Sequence, residues 1–449
     1  MTLLAIDWSS ILVKTGQFIL AFSILVVLHE MGHFLPARWF KCRVEKFYLF
    51  FNPWFSIFKK KIGETEYGIG WVPFGGYVKI SGMIDESMDK EQLKLPPKDY
   101  EFRAKKPWQR LIIMLGGVIV NIILAIVIFV GIMWHYGETY VPIENLKYGV
   151  HADSLGVKMG LQEGDRIVAV GNKKIERAGT VGGEIILQQA SQITVSRDEQ
   201  QIVLDIPKGF KQQLNSNKGV GFSRVRFPII IDSVLAKAKI TNGTLQKNDV
   251  VIAVDDSAVQ FVHQLDFLDK VKSKNVTFKV LRNAKDTLTA QVYFDEKGNN
   301  NIGLRNYGKI LGETHIDYSL SQAIPAGWNK CWQTLDKYVS NLKLLFKKNE
   351  VKVNDSLGGI FSIANTFGGT WDWEAFWTLT AVFSIILAFM NVLPIPALDG
   401  GHALFTIYEM ITGRKPSDKF MEYAQTVGMF LLLGLMVYAL GLDVFRWFK

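Results

Sequence analysis

Residues 26–38 read VVLHEMGHFLPAR and place two histidines and a glutamate at the end of a long apolar run. The segment before them, residues 18–28, is apolar except for Ser23, which is typical of a membrane-spanning helix rather than a surface helix. An ionisable side chain in the hydrocarbon core costs about 2.5–3.5 kcal/mol even on a lenient insertion scale. The stretch therefore predicts a membrane helix whose polar residues are stabilised by a metal ion or by buried partners.

His29 and His33 have the spacing of two ligands of one metal ion. Residues four apart on an α-helix lie about 40° apart around the axis and about 6 Å apart along it, so both imidazoles can reach the same ion. Glu30, beside the first histidine, can then reach a water on the metal without being a ligand, which is the zincin arrangement. In a chain with only 7 histidines a chance match is improbable, and the pattern predicts Zn²⁺ at His29 and His33.

A catalytic zinc ion usually has three protein ligands and one open position, so a third ligand is expected elsewhere in the chain. Residues 391–402 read NVLPIPALDGGH, and Asp399 is their only carboxylate. Pro394 and Pro396 break the preceding apolar helix and let side chains turn inwards. Asp399 is the predicted third ligand. His402 is the alternative, but it follows two glycines and is expected nearer the aqueous side.

The composition excludes a wholly soluble protein. The chain has 449 residues, of which 49% are hydrophobic, so it is too long for one core and too apolar for soluble domains alone. Its net charge of +9 comes without a Lys/Arg run interleaved with aromatic residues, so no nucleic-acid partner is expected. Cys42 and Cys331 are predicted on opposite sides of the membrane, which excludes a disulfide framework. The first apolar segment lacks the features of a cleaved signal peptide.

Four apolar segments are long enough to cross a bilayer, and the lipid bilayer is therefore an expected partner. In the second segment Asn121 is the only strongly polar side chain. The fourth segment is short for a membrane span unless its helix begins within residues 421–426. A buried helix of a soluble domain is the alternative. Aromatic and basic residues that flank the segment, as in an interfacial belt, favour the membrane span. The segments are residues 11–34, 111–134, 375–396 and 427–442.

Basic residues predict the orientation of these segments. Residues 38–110 carry 15 Lys/Arg against 9 Asp/Glu, whereas residues 1–10 have no basic residue. Lys and Arg collect on the cytoplasmic side of membrane proteins. Both termini are therefore expected outside, together with a soluble region over residues 135–374, and the histidine motif is expected near the cytoplasmic face.

Residues 160–172, GLQEGDRIVAVGN, match residues 244–256, TLQKNDVVIAVDD, at an offset of 84. The later turns SRDEQ and LRNAK match at nearly the same offset, so two copies of one small, mostly β domain are predicted. Asn248 replaces the turn glycine of the first copy, and Asn tolerates the left-handed backbone of such a turn. The pattern resembles a bacterial PDZ domain, which binds peptide ends by strand addition. Spacers or filters without a peptide ligand are the alternative.

Two motifs, HEMGH in the first span and NVLPIPALDG in the third, closely resemble the site-2 protease family of intramembrane zinc metalloproteases. The paired PDZ-like insert resembles the regulator of sigma-E protease branch of that family. Val118 stands where the family often has proline, so Asn121 is either a substrate contact or an interhelical hydrogen-bonding residue. The resemblance implies that zinc is held by His29, His33 and Asp399, that Glu30 is the general base, and that Asn391 lies near the substrate.

Residues 64–79, ETEYGIGWVPFGGYVK, are predicted to form a membrane re-entrant β-hairpin with a tight turn at Gly75 and Gly76. Unwound backbone in lipid needs replacement hydrogen-bond partners, and the resemblance implies that this hairpin pairs with an unwound substrate. Gly68 and Gly70 are therefore expected substrate-binding residues. An ordinary cytoplasmic hairpin is the alternative.

The predicted fold is a polytopic α-helical membrane protein with about four transmembrane helices, a re-entrant β-hairpin, and two mostly-β PDZ-like domains between helices two and three. Residues 311–374 include an amphipathic helix that lies on the membrane surface or packs on the second β domain. The predicted segments are residues 1–38 (first helix), 39–107 (cytoplasmic loop with the hairpin), 108–135 (second helix), 136–225 and 226–310 (PDZ-like domains), 311–374 (amphipathic helix and linker), 375–405 (third transmembrane region) and 406–449 (fourth helix and C-terminus).

The resemblance implies regulated intramembrane proteolysis in the bacterial inner membrane. The expected substrate is a single-pass transmembrane protein such as an anti-sigma factor, with remnant signal peptides as a further class. An inactive PDZ scaffold with a structural metal site is the alternative, and Glu30 argues against it because a structural site needs only ligands. A transporter is a third class, disfavoured because the four segments contain no transmembrane repeat.

Overall fold

The structure is a computed structural model that describes residues 7–83, 96–216, 221–345 and 358–447. It contains two units: the membrane unit lies within residues 1–137, 317–339 and 357–449, and the repeat unit lies within residues 138–316 and 340–356. In chain order the α-helices are α1 (Trp8–Trp39), α2 (Pro107–Tyr136), α3 (Ser154–Lys158), α4 (Val181–Leu187), α5 (Phe210–Ser216), α6 (Tyr307–Leu311), α7 (Leu320–Leu345), α8 (Ile360–Ala364), α9 (Trp373–Val392), α10 (Asp399–Thr412) and α11 (Asp418–Trp447).

Four helices of the described residues, α1, α2, α9 and α11, are long and apolar enough to cross a membrane, as the sequence predicts. α1 begins where the Asp7 carboxylate accepts a hydrogen bond from the Ser10 N–H (3.2 Å), and Asp372 caps α9 in the same way. α11 begins at Asp418, so the fourth segment has the longer of its two predicted forms. The chain is therefore an integral membrane protein.

The third apolar segment ends earlier than predicted and is followed by a separate helix. α9 stops at Val392, because Leu393 precedes Pro394 and a residue before proline is disfavoured in helical backbone. The chain then loops to Asp399, which begins α10. The predicted boundary between residues 405 and 406 falls inside α10 rather than between two elements.

A four-stranded sheet follows α1 in the membrane unit and comprises β1 (Val44–Phe51), β2 (Phe58–Ile62), β3 (Thr65–Ile69) and β4 (Val72–Ile80). The strand order is β2-β3-β1-β4, with β1 parallel to β3 and antiparallel to β4. The predicted hairpin over residues 64–79 is therefore wrong, because β1 lies between its two arms. The buried ring of Tyr48 on β1 stacks on Tyr77 of β4. Such cross-strand aromatic pairs stabilise the pairing of β4 with β1. Gly75 and Gly76 lie within β4 rather than at a turn.

α7 packs against two of the apolar helices of the membrane unit. Ala323 and Cys331 are buried in a cluster with Phe129 of α2 and Ala381 of α9. Small residues on this face let the helices approach closely. Neither predicted location of the amphipathic helix included this contact. Large apolar side chains remain exposed elsewhere on α7, namely Leu320, Ile324, Trp328 and Trp332.

The repeat unit contains two β domains, called here the first copy and the second copy. Its strands are β5 (Glu138–Tyr140), β6 (Val150–Ala152), β7 (Arg166–Val170), β8 (Lys173–Lys174), β9 (Gln192–Arg197), β10 (Gln200–Asp205), β11 (Ser223–Val225), β12 (Ile231–Val234), β13 (Ile240–Asn242), β14 (Val250–Val254), β15 (Ser257–Ala258), β16 (Lys274–Arg282), β17 (Asp286–Phe294), β18 (Ile302–Leu304) and β19 (Thr314–Ile316). The order is β10-β9-β7-β8 in the first copy and β13-β17-β16-β14-β15 in the second. β7 and β14 occupy equivalent places, each beside an antiparallel hairpin.

The same carboxylate–guanidinium pair recurs in both copies. Asp165 accepts hydrogen bonds from Arg197 at 2.7 and 2.8 Å, and Asp249 accepts hydrogen bonds from Arg282 at the same distances. Each buried aspartate also accepts a backbone N–H from the residue three positions earlier, so it joins the turn to the hairpin. Asn248 adopts a φ of +76° where the first copy has a glycine, which confirms that Asn supports this turn.

Replacing Asp249 with Asn is expected to loosen the second copy by about 2 kcal/mol, because it removes a charge-assisted bidentate hydrogen bond. Burial would raise the pKa of Asp249, but its hydrogen bonds from Arg282 and the turn hold that pKa below the usual range. A depressed pKa contributes stability above about pH 4 that is lost as the pH falls, so the difference between variant and parent should shrink in acid. Amide hydrogen exchange of β14, β16 and β17 in the full chain measures this. The control is exposed Asp256→Asn, and equal exchange in both variants would contradict the assignment.

Candidate metal centre

Three metal-ligating side chains from two distant segments of the sequence, His29 and His33 on α1 and Asp399 at the start of α10, meet in the membrane unit. The Nε2 atoms of His29 and His33 lie 3.3 Å apart, and each lies 3.3 Å from Oδ2 of Asp399. A tetrahedral zinc ion with bonds of about 2.0–2.1 Å holds its ligands about 3.3 Å apart. The two histidines are buried in α1, at 8% and 7% exposure, and Asp399 projects from the first turn of α10. The donor set and its spacing therefore fit zinc.

Two further observations favour a cation between these atoms. Oδ2 of Asp399 is buried and has no hydrogen-bond partner, which is costly for a carboxylate oxygen unless a cation neutralises it. Nδ1 of His33 lies 2.8 Å from the backbone oxygen of Ile113 on α2. Because a carbonyl oxygen only accepts hydrogen bonds, Nδ1 of His33 carries the ring proton. The lone pair of its Nε2 atom then points to the other two metal-ligating atoms.

Asn121 on α2 is the corresponding partner of His29. Its side-chain amide lies 3.1 Å from Nδ1 of His29, and its Oδ1 atom is buried without a hydrogen-bond partner. A half-turn of the amide brings Oδ1 to Nδ1 of His29, where it accepts a hydrogen bond from the ring N–H and leaves Nε2 free as a metal ligand. The backbone oxygen of Asn121 accepts the hydroxyl of Ser384 on α9 (2.7 Å), so this residue also links two helices.

Asn391, in the last turn of α9, lies at the rim of the donor triangle. Its Nδ2 atom is 3.3 Å from Nε2 of His29, and the residue is 9% exposed. An amide N–H at this position can donate to an oxygen atom that approaches the same centre. The structure therefore brings together His29, His33, Asp399, Asn121 and Asn391.

An open cleft of about 350 Å³ leads to the triangle. One wall is α1, where Glu30 follows the first histidine, and the opposite wall is β4. A Cβ atom built on Gly76 of β4 would lie 3.5 Å from Cγ of Glu30, so the side chain of Glu30 packs next to this strand. β4 is the last strand of its sheet within the described residues. The cleft thus combines a metal centre, a carboxylate and a strand edge.

A family model described as Peptidase family M50 matches residues 17–435. The chain belongs to peptidase family M50. It is therefore a peptidase, and the resemblance seen in its motifs is confirmed.

Relatives from several bacteria align with almost the whole chain. The regulator of sigma E protease of Haemophilus influenzae is 26% identical over 461 residues, which cover 97% of this chain and 100% of that protein. The regulator of sigma-E protease RseP of Escherichia coli is 27% identical over 467 residues, which cover 97% and 99% of the two chains. A Rickettsia conorii protein whose name includes the words zinc metalloprotease is 26% identical over 437 residues, covering 95% and 97%.

Gly68 and Gly70 are not among the residues that line the cleft. Gly68 lies in β3, between β1 and β2, where a Cβ atom would overlap the ring of Tyr48. The N–H of Gly70 donates to the backbone oxygen of Leu49 (2.8 Å), and a Cβ atom there would overlap the backbone of Phe51. Both glycines are thus required for packing within the sheet. The strand that borders the peptidase cleft is β4 instead.

His402, the alternative metal ligand, lies one turn along α10 from Asp399. It lines the cleft, but its ring nitrogens are not part of the group of three donors within the described residues. The glycines before it explain this arrangement, because Gly400 and Gly401 pack directly on the backbone of residues 392–396 and set the first turn of α10 against the end of α9. The helix start therefore points Asp399, rather than His402, at the M50 histidines.

Gly117 on α2 is a site residue that the sequence reasoning missed. A Cβ atom on it would lie 2.5 Å from Nε2 of His33 and 2.6 Å from Cε1 of His29. The neighbouring Gly116 meets Gly32 of α1 with no room for a side chain on either. The sequence did contain a signal for this contact, namely two adjacent glycines in an apolar span, the second of them four residues before Asn121. Small residues in a membrane helix mark places where helices cross closely.

Gly117→Ala is expected to weaken zinc binding about tenfold or more, since the added methyl group displaces both imidazoles and displaced ligands cost affinity on this scale. Gly131→Ala on the same helix is a matched control, because a Cβ built there meets no atom of the described residues within 4 Å apart from its chain neighbours and the backbone of its own helix. Competition with a chelator of known affinity gives the zinc Kd of each purified chain. Equal Kd values for the two variants would show that the close approach at Gly117 has no part in zinc binding.

Proposed function

We propose that this chain is an intramembrane zinc metalloprotease that hydrolyses a peptide bond within the transmembrane segment of single-pass membrane proteins. The observation that carries the proposal is the 3.3 Å triangle of His29, His33 and Asp399, beside a cleft that also contains Glu30. The buried Oδ2 atom of Asp399 has no hydrogen-bond partner among the described residues. His29, His33 and Asp399 would hold the zinc ion. The names of the relatives, which include regulator of sigma-E protease and zinc metalloprotease, support the same reading.

Glu30 is the proposed general base and acid. When bound, zinc supplies Lewis acidity, which polarises a peptide carbonyl and makes a water molecule easier to deprotonate. Glu30 takes the proton of the attacking water and passes it to the leaving nitrogen. The carboxylate can do this because it lines the cleft next to the triangle and is not one of the three donors.

The remaining polar residues orient the centre and balance its charge. Ile113 and Asn121 fix the ring orientation of the two histidines, so that both present Nε2 as neutral ligands. One carboxylate and two neutral imidazoles leave a zinc site with net positive charge, which stabilises negative charge on the carbonyl oxygen. Asn391 donates to that oxygen from the rim of the triangle.

β4 is the proposed substrate-pairing strand. A transmembrane substrate must lose helical hydrogen bonds before it can be cut, and each unpaired backbone group in lipid costs several kcal/mol. An edge strand replaces those bonds by β-augmentation. Gly76 to Ile80 of β4 line the cleft, whereas Gly68 and Gly70 do not. We therefore assign substrate pairing to β4 and not to these two glycines.

The two copies of the repeat unit are proposed to be PDZ-like domains on the outer, periplasmic side of the bacterial inner membrane, with both termini on that side and the metal centre towards the cytoplasm. The excess of basic residues in residues 38–110 supports this orientation. There the copies would exclude bulky ectodomains or bind a peptide end. An anti-sigma factor, trimmed first by another protease, is the proposed substrate, and remnant signal peptides are a further class.

A reporter experiment tests the function. Single-pass reporters with a short or a long folded ectodomain are co-expressed with the protein in a bacterium that lacks its own enzyme of this family. We expect a fragment cut within the membrane from the short reporter and at least tenfold less from the long one. In a second assay with purified enzyme and purified short reporter in detergent, treatment with a zinc chelator should abolish the cut. Uncut short reporters across a panel of transmembrane segments would contradict the proposal. Equal cutting of both reporters would contradict only the size filter.

A further inference from the structure

A second cluster of metal-binding side chains lies in the repeat unit, where the two copies meet. His151 is on β6 of the first copy, and His263 is in a short 3-10 helix, Val262–Lys270, of the second copy. Their rings stack with centroids 4.1 Å apart and planes inclined by 12°. The peptidase mechanism uses neither residue.

A carboxylate completes the cluster. Oε1 of Glu163 accepts a hydrogen bond from Nδ1 of His151 and lies 3.3 Å from the N–H of Ala152. One ligand atom from each of His151, Glu163 and His263 lies within 4.8 Å of the others. Two imidazoles and one carboxylate form the donor set of many zinc sites.

Two buried polar atoms in this cluster lack partners. Nδ1 of His263 is buried with no hydrogen-bond partner, and Oδ2 of Asp153 is in the same state. Asp153 belongs to the cluster because its other oxygen lies 3.5 Å from Nε2 of His151. A buried ring nitrogen without a partner is costly, and coordination to a metal ion would satisfy it. This observation is independent of the spacing of the three ligands.

The charges around the cluster accept a cation. Arg224 pairs with Asp153 and Asp266, and Arg226 lies 3.5 Å from Glu163 and over the ring of Phe261. Three carboxylates against two guanidinium groups leave one negative charge while the imidazoles are neutral.

We propose that His151, Glu163 and His263 form a second binding site for a divalent transition-metal ion of the zinc type, which cross-links the two copies. Binding at Nδ1 of His151 displaces the proton that this atom shares with Glu163, and the proton moves to Nε2 of the same neutral ring, which lies 3.5 Å from Asp153. The ligand atoms must approach from their present separation to the roughly 3.3 Å of a tetrahedral site, which requires the stacked rings to rotate apart. The bound ion would fix the orientation of the first copy relative to the second.

Zinc stoichiometry of the full-length protein in detergent tests the site. His33→Ala is used as the background, because it disables the metal centre of the membrane unit. We expect the His33→Ala chain, stripped with chelator and dialysed against Zn²⁺ at pH 7.5, to hold one zinc ion, and the His33→Ala/His263→Gln chain to hold essentially none. His33→Ala/Glu163→Gln should bind zinc at least tenfold more weakly than the background. This conservative variant keeps the proposal testable if His263→Gln fails to fold.

His33→Ala/His315→Gln is the matched control, because His315 is in the same unit and is hydrogen-bonded to Thr139 instead of the cluster. It should retain the one zinc ion of its background. Equal zinc content in the His33→Ala and His33→Ala/His263→Gln chains would overturn the proposal, as would a His33→Ala chain that binds no zinc. Addition of Zn²⁺ should also slow amide exchange of β6 and of residues 262–270 in the background chain but not in the His263→Gln variant.

Discussion

Replacing Glu30 with Gln is expected to lower the rate of substrate cleavage at least a hundredfold while leaving the zinc content unchanged. General acid–base catalysis contributes about 10²–10⁴-fold, and Gln can neither accept the proton of the attacking water nor return it to the leaving nitrogen. Zinc should remain because Glu30 is not one of the three donors of the metal centre. Gln also has nearly the same shape, so the packing of Glu30 near Gly76 is kept. The loss should therefore appear in kcat rather than in KM.

Fragment release from a short single-pass reporter and metal analysis of the same purified sample measure the two quantities. Glu374→Gln is the matched control, because this exposed glutamate lies in the first turn of α9 in the same unit. It should cleave at the parental rate. A Glu30→Gln enzyme that retains more than a tenth of the parental rate would show that another group transfers the proton. Loss of zinc together with activity would show that Glu30 supports the metal.

Asp399→Asn is expected to release zinc from the membrane unit and to abolish cleavage. A neutral amide is a weaker ligand than a carboxylate, and it removes the negative charge that offsets the ion. Loss of a residue that only orients a ligand costs about 10–100-fold in metal affinity, so loss of a ligand should exceed about a hundredfold.

Zinc titration in the presence of a competing chelator, followed by the reporter assay, tests this expectation. His402→Ala is the informative control, because His402 lines the same cleft and was the alternative third ligand. It should keep its zinc affinity within about threefold of the parent. If His402→Ala lost zinc and Asp399→Asn retained it, the assignment of the third ligand would be reversed.

The helices of the membrane unit could be predicted from the sequence because their signal is local. A run of about 20 apolar residues has few stable forms in a bilayer, and caps such as Asp7 and Asp372 mark where the helices begin. The sheet could not be predicted in the same way. β1 lies between β3 and β4 although it precedes both in the chain, and strand pairing of this kind depends on contacts between distant residues. A hairpin was the simpler local solution, and it was wrong.

The ligand residues of the metal centre could be predicted because they lie in short sequence motifs. The HEMGH spacing places two imidazoles on one face of a helix, and a carboxylate after a proline-broken span was the economical third ligand. Asn121 was correctly placed near the site, but its contact with Nδ1 of His29 appears only when α1 and α2 are packed together. Gly117 was not predicted, because a glycine carries no functional group. It matters for the site because any side chain there would occupy the space of the His29 and His33 rings.

The sequence by itself determined that the chain crosses a membrane and which residue types can hold zinc, and it predicted two copies of one β domain. These properties depend on side-chain chemistry and on periodicity within a single helix or turn. The tertiary structure decided which strand borders the cleft, which residue orients each histidine, and that His151, Glu163 and His263 meet between the two copies. Such features join residues far apart in the chain. Their distances are set by the packing of whole elements, which no local pattern encodes.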